Sequence, residues 1–371
     1  MAVINAPLVL SRASSATLVD SVTGLLTEFG NNLPRFDTGL GLLIEGQRQN
    51  IYLNSTVGVS TGAVAPNLNQ ASTDIASINP TLLIRKHTRD NATGDSNVGS
   101  GPAQYAITTG VNMAYSIWVY LPSSQNYGAS PSFNVEYDSA HTLVSSVSAN
   151  FAVRDRWQRI QKVFTPTSTG TAPLVLRFIG STGSFLYTCA PQVEVGSLPS
   201  QHIITTGTAA TRLADILSVP LSSLGIGSNG ACTVVVTFTF PQIGPFSIYG
   251  FPNGFELNAG DINNRAWIYF NNGLVWLARV NAAVNQQIQI GGGITPNSLC
   301  KVAFSGDGTG RFAASFNGGT VQNITGAPTS LSQFRVGSGF GGDQPINGYA
   351  QVTSILPYPV SDATLPRFST I

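Results

Sequence analysis

The sequence predicts an all-β chain: two tandem, jelly-roll-like β-sandwiches preceded by an N-terminal arm. Three observations carry that prediction. Apolar and polar residues alternate with a period of two between turn clusters along most of the chain, and the helical period of 3.6 almost nowhere persists. Asn-Gly steps punctuate the alternating runs, and with 371 residues, 42% of them hydrophobic, the chain is long enough for about two cores.

Taken in order, residues 1–44 differ from the rest. They offer a short helix around Ser21 to Phe29 and a glycine-rich stretch at Gly39 to Gly41, and they read as an arm for attachment or oligomerisation. Deleting such an arm should leave the sandwiches folded. Residues 45–206 form the first expected sandwich, with runs such as 115–120 (YSIWVY) and 174–179 (LVLRFI) that suit a pleated, half-buried surface. A break follows near Thr205 to Gly230, so residues 207–226 are assigned as a linker. Residues 227–371 form the second expected sandwich, with strands at 232–240 (CTVVVTFTF) and 265–270 (RAWIYF). Asn271-Asn272-Gly273 and Asn317-Gly318-Gly319 carry the positive-φ signal of tight hairpin turns. No exact short repeat points to a solenoid or propeller.

Charge excludes one class of partner. Only 9% of residues are charged, and 18 basic residues nearly balance 17 acidic ones without forming clusters. A nucleic-acid binder needs a basic stripe to displace counterions, so that class is set aside. Low net charge favours self-association, and a homotrimer or a place in a larger particle is expected. Residues 1–5 (MAVIN) lack the features of a secretory signal, and no apolar run is long enough for a membrane helix. The expectation is therefore synthesis in a bacterial cytoplasm without membrane insertion. Cys189, Cys232 and Cys300 are odd in number and far apart, which reads as buried small hydrophobes rather than disulfides or a zinc site.

Several blocks resemble a known family. Residues 34–37 (PRFD), 41–46 (GLLIEG) and 48–55 (RQNIYLNS) are similar to the opening of phage and prophage structural proteins with carbohydrate-binding-module-like domains. Residues 157–165 (WQRIQKVFT), 191–197 (PQVEVGS), 205–207 (TTG) and 211–215 (TRLAD) resemble the strands that close such a module and lead into the next. In the second half, 316–319 (FNGG), 346–349 (INGY) and 357–362 (PYPVSD) resemble concanavalin-like or laminin-G-like sandwiches. The chain departs from that pattern at Arg48-Gln49-Asn50, where Arg-Thr-Asn is usual, and after Asp362, where Pro366 limits any closing helix to less than two turns. The resemblance implies a virion part, a tail fibre, head fibre, spike or decoration subunit. Its partners would be other virion proteins in capsid, neck or baseplate, engaged through residues 1–44.

The candidate chemistry is sparse. Residues 58–62 (GVSTG) match a nucleophile elbow in spacing, but no helix follows, and His87, His141 and His202 have no supporting motif. Residues 337–342 (GSGFGG) match a dinucleotide fingerprint, but Pro345 stands where the helix should begin. Glu136 and Asp138 share a strand face as paired carboxylates do in glycoside hydrolysis, yet His141 occupies the place where a further Glu is required. Glu256 and Asp261 read as solvated loop charges. Residues 90–95 (DNATGD) come nearest to a calcium loop and read as an ordinary turn, so neither a metal nor a cofactor is expected. The Asn-X-Ser/Thr sites at Asn54, Asn91 and Asn323 would stay unmodified in a bacterial cytoplasm.

For a sugar, the useful residues are exposed aromatics beside amide or guanidinium donors. Trp118 and Trp157 alternate with apolar neighbours and read as core, whereas Tyr127, Tyr249, Phe251, Trp276 and Phe340 lie near Gly, Pro or Asn and are the candidates for ligand stacking. The expected function is that of a non-enzymatic virion protein that recognises host-surface polysaccharide. A secreted bacterial carbohydrate-binding protein and a glycan depolymerase with carboxylates shared between subunits are the alternatives.

Overall fold

A computed structural model describes residues 8–57, 69–89, 96–128, 132–137, 143–178, 181–241, 251–282, 284–326, 330–342 and 344–371. The chain is nearly all β, with 48% strand and 4% helix. It forms two compact units, each discontinuous in sequence. The first comprises Met1–Ser15, Phe29–Gln47 and Leu213–Ile371, and the second comprises Ala16–Glu28 and Arg48–Arg212.

The first unit is a sandwich of two seven-stranded sheets whose pairings are antiparallel. Sheet A runs Val9–Ser11, Ile216–Pro220, Gln333–Val336, Asn253–Asn258, Asn264–Asn271, Leu274–Asn281, Val284–Gly292. Sheet B runs Gln322–Thr325, Arg311–Phe316, Leu299–Gly306, Cys232–Thr239, Gly348–Leu356, Gly41–Ile44, Phe36–Asp37. Period-two alternation sends Phe255, Leu257, Ala266, Ile268, Phe270, Val275, Leu277, Phe334 and Val336 of sheet A inward. They meet Val234, Val236, Phe238, Val302 and Phe304 of sheet B in one core. The Asn272-Gly273 step turns one hairpin of sheet A with φ of 48° and 77°, the conformation that Asn and Gly tolerate. Near the C-terminus, Leu365–Ser369 forms a helix of five residues. Pro366 sits in its first turn, where a missing N–H breaks no helical bond.

The second unit packs the sheet Trp157–Phe164, Met113–Tyr120, Phe185–Val195, Arg48–Asn50, Ala210–Arg212 against the four-stranded sheet Leu143–Ser148, Ser132–Tyr137, Gly170–Phe178, Ser96–Ile107. Tyr105, Ile107, Met113, Tyr115, Ile117, Val119, Ile160 and Val193 fill its core. The opposite face of the first of these sheets is covered too. Leu26, Ile78 and Leu82 pack there on Trp118, Cys189 and Ala190.

Three sequence expectations fail here. Residues 1–44 are not a separate arm: Val9–Ser11 pairs with Ile216–Pro220, and Gly41–Ile44 pairs with Gly348–Leu356. Ser21 to Phe29 is not helical, because Asp20 Oδ1 accepts the backbone N–H of Val22 and Thr23 and turns the chain between the paired strands Ala16–Val19 and Leu26–Phe29. Residues 207–226 are not a free linker, since Ala210–Arg212 and Ile216–Pro220 are strands of the second and first unit respectively. These strands have three to five residues, too few to display a period, and their partners lie far away in sequence.

A buried ionic cluster fixes the N-terminal residues within the first unit. Arg12 Nη1 lies 2.7 Å from Asp215 Oδ1, Arg35 Nη1 lies 2.6 Å from Glu45 Oε2, and Arg35 Nη2 also binds Asp215. The Glu45 backbone N–H donates to Asp215 Oδ2 at 2.9 Å. Blocks 34–46 and 211–215, which carry the family resemblance, are thus joined by charge pairs that hold this chain path.

Candidate functional site

The candidate site is the face of sheet A turned away from the core. Strand register places its side chains in three rows. One row runs Arg335, Glu256, Trp267, Ala278, Gln287 across neighbouring strands. A second runs Asn253, Tyr269, Trp276, Gln289, and a third Gln333, Asn258, Arg265, Val280, Asn285.

Glu256 is fully buried at the centre. Its Oε1 accepts from Asn258 Nδ2 at 2.5 Å, and its Oε2 accepts from Asn253 Nδ2 at 2.9 Å and Arg265 Nη1 at 3.2 Å. Arg335 Nε stands 4.0 Å from Oε1, an ion pair without a hydrogen bond. Burial pushes the Glu256 carboxyl above its ordinary range, opposed by the Arg265 charge and by the side-chain hydrogen bonds. The solvated-loop reading of Glu256 is therefore corrected, because the residue lies inside the strand Asn253–Asn258. Asp261 is the turn residue of that pair, accepting from the backbone N–H of Asn263 and Asn264.

Beside this charge centre lies an aromatic cluster in which Trp267 and Tyr269 are buried, Trp276 is half-buried, and Phe251 and Phe340 are exposed. Tyr269 and Trp276 are stacked with centroids 6.1 Å apart and planes 10° apart, and Trp267 lies 6.1 Å from Tyr269. Phe251 adds a ring 5.3 Å from Tyr269. The Arg265 guanidinium lies 4.2 Å over Trp267, and that of Arg335 lies 5.3 Å from the Phe340 ring. The segment after Val336 returns to this face, with Gly337 N–H donating to Gly254 O and Gln344 O accepting from Asn253 N–H.

This face also concentrates polar atoms without a hydrogen-bond partner: Asn253 Oδ1, Arg265 Nε, Trp276 Nε1, Arg335 Nε and Nη1, Ser338 Oγ and Gln344 Oε1. Buried polar atoms are normally paired, and each one left unpaired costs about 1–3 kcal/mol. The surfaces a ligand ring could meet are those of Phe251, Phe340 and Trp276 at the edge of this cluster. Among the described residues, no group of three or more His, Cys, Asp and Glu forms a metal-binding cluster.

The aromatics singled out from sequence separate clearly. Phe251, Trp276 and Phe340 meet on this face, together with Trp267, Tyr269, Glu256, Arg265 and Arg335, which sequence reasoning did not select. Alternation along Arg265, Trp267 and Tyr269 was the available signal. Tyr127 is not a stacking residue: it is buried, and its hydroxyl donates to Phe185 O at 2.6 Å. Trp118 is buried and Trp157 half-buried in the second unit. Tyr249, residues 58–62 and 90–95, Asp138 and His141 lie outside the described residues, as does the side chain of Glu136. The three cysteines are free and buried. An apolar cleft of about 640 Å³ between Leu8, Leu10, Pro34, Phe36, Leu217 and Val352 has two polar side chains on its lining, Asn32 and Gln351.

No family model matches the chain. No curated protein matches it either. Solved structures similar to it include the CBM40 domain of the Ruminococcus gnavus IT-sialidase bound to alpha2,3 sialyllactose, at 12% identity and a TM-score of 0.33, over 40% of this chain and 86% of that one. The CBM22 tandem of Paenibacillus barcinonensis Xyn10C is 9% identical with a TM-score of 0.25, over 83% and 98% of the two chains. Mouse laminin alpha1 domains LG4-5 are 8% identical with a TM-score of 0.24, over 88% and 96%.

Proposed function

We propose that the protein is a glycan-binding virion structural protein, a fibre, spike or decoration subunit that contributes to adsorption on host-surface polysaccharide. One observation carries the glycan reading: exposed Phe251 and Phe340 and half-buried Trp276 edge the buried Trp267–Tyr269 pair beside Glu256. Rings of this kind stack on the apolar face of a sugar, while amides, guanidinium groups and carboxylate bind its hydroxyls. A single buried carboxylate surrounded by donors suits binding rather than hydrolysis, which requires two. The virion reading is supported by the motif blocks at 34–55 and 191–215 and by the low charge of the chain, and the expected homotrimer by the low charge alone.

The test is a glycan array on the intact protein beside its Trp276→Ala variant. Binding that Trp276→Ala reduces at least tenfold supports the reading, and an array with no positive spot overturns it. Cryo-EM of particles, with this chain located in the density, tests the virion assignment. Its absence from purified particles would favour a secreted bacterial carbohydrate-binding protein.

A further inference from the structure

We infer that Arg335 is the anchor for an oxyanion on the ligand, so that the preferred glycan contains an acidic sugar, carboxylated or sulfated. This rests on the glycan reading of the same face. The argument is a balance of charges and of acceptor sites. Arg265 and Arg335, with side chains 12% and 13% exposed, share one carboxylate. Glu256 gives its oxygens to Asn253, Asn258 and Arg265. Among the described residues, the acidic contact of Arg335 is the one with Glu256 at 4.0 Å, and its Nε and Nη1 have no hydrogen-bond partner.

Two arginines against one glutamate leave a net charge of +1 among these three groups. A guanidinium so largely removed from water without an anion is unfavourable, and a carboxylate or sulfate supplies both the charge and the acceptors. Position agrees with charge. Arg335 lies directly across Glu256 from Trp267 and beside exposed Phe340, so a sugar ring stacked on Phe340 can reach it with an acidic group. Phe340 lies 5.3 Å from the guanidinium and lowers its exposure to solvent.

The experiment uses the full chain in calorimetric titrations with three matched probes: an oligogalacturonide, the neutral oligogalactoside of the same length, and a sulfated galactan oligosaccharide. Arg335→Gln and Arg335→Lys are measured in parallel, with thermal melting to confirm folding. The expected result is that at least one acidic probe binds tenfold or more tighter than the neutral one, that Arg335→Gln removes this preference, and that Arg335→Lys restores part of it. The preference should also weaken with added salt. Comparing the carboxylated and sulfated arms identifies which oxyanion is read. Neutral and acidic probes bound equally, with Arg335→Gln indistinguishable from the parent, would overturn the anion anchor while leaving glycan binding intact. If no probe binds and a glycan array is also empty, both readings fall.

Discussion

Each unit buries one glutamate on the face of a sheet turned away from its core, and the two are completed differently. In the second unit, Glu194 accepts from Ser200 N–H at 2.6 Å, Ser200 Oγ at 2.8 Å and Gln192 Nε2 at 2.9 Å, with Arg48 Nε 3.9 Å away. The chain itself closes over that carboxylate, because Thr17 and Val19 also bind the backbone of His202 and the side chain of Gln201. In the first unit, the described partners of Glu256 are side chains of its own face, and among the described residues neighbouring polar atoms have no hydrogen-bond partner. A buried glutamate near arginine is therefore not itself a sign of function. What distinguishes the two is whether local backbone has consumed the remaining hydrogen-bonding capacity.

The largest test addresses what the N-terminal residues do for both units. Deleting residues 1–44 removes Arg12, Arg35 and the strand Gly41–Ile44 from the first unit, and the Leu26 cover from the second. The truncated chain should fail to fold, showing no cooperative melt by circular dichroism. A soluble, cooperatively melting product would restore the separate arm. On a smaller scale, Arg35→Ala removes the pairs to Glu45 and to Asp215, which keeps Arg12, and should cost about 3–5 kcal/mol in denaturant unfolding.

Tryptophan substitutions then compare the two faces directly. Trp118→Ala empties a covered cluster and should cost about 3–5 kcal/mol without altering glycan binding. Trp276→Ala, at a half-buried position, should cost about 1 kcal/mol and abolish binding. Equal stability losses for the two would mean that the first unit's face is closed as well.

Acid should separate the units further. The sequence has three histidines, His87, His141 and His202, all in the second unit. Burial, aided by Arg85 and Arg159, lowers His87 and His202 from 6.5 to about 3. Their neutral forms are favoured in the fold, so stability is complete above pH 6.5 and falls on acidification by about 1.4 kcal/mol per pH unit for each histidine. Burial raises Glu194 and Glu256, with the nearby arginines opposing; each contributes stability that is present below about pH 4.5 and lost as pH rises. Between pH 7 and 5 the two histidines outweigh Glu194 in the second unit, while Glu256 acts without a histidine in the first. Calorimetry across this range should show one transition moving down and the other holding or moving up. Two transitions falling together would remove the distinction.

The strands that could be read from sequence are those with enough residues to show a period. Asn264–Asn271 and Leu274–Asn281 have eight residues each and a diagnostic Asn-Gly turn, so their hairpin was legible. Val9–Ser11 has three residues and pairs more than two hundred positions away, and Phe36–Asp37 has two, beside Arg35, whose charge partner Asp215 lies 180 positions on. The site divides in the same way. Aromatics near turns pointed to Trp276, Phe251 and Phe340, whereas Glu256 was misjudged because burial of a charged side chain follows from tertiary partners that local sequence does not reveal. Tyr127 failed for the converse reason, since proximity to glycine does not expose a ring whose hydroxyl finds a backbone carbonyl.

The smallest effect sharpens the comparison most, because it concerns two buried serines with opposite circumstances. Ser200 donates its hydroxyl to Glu194 at 2.8 Å, so Ser200→Ala leaves that carboxylate short of a donor and should cost about 1–3 kcal/mol. Ser338 is equally buried, but its Oγ has no partner. Removing an unpaired hydroxyl also removes its desolvation cost, so Ser338→Ala should be neutral or stabilise by about 1 kcal/mol. Urea unfolding of both variants decides the matter. A Ser338→Ala variant that is destabilised as much as Ser200→Ala would place Ser338 within the fold's own hydrogen-bond network.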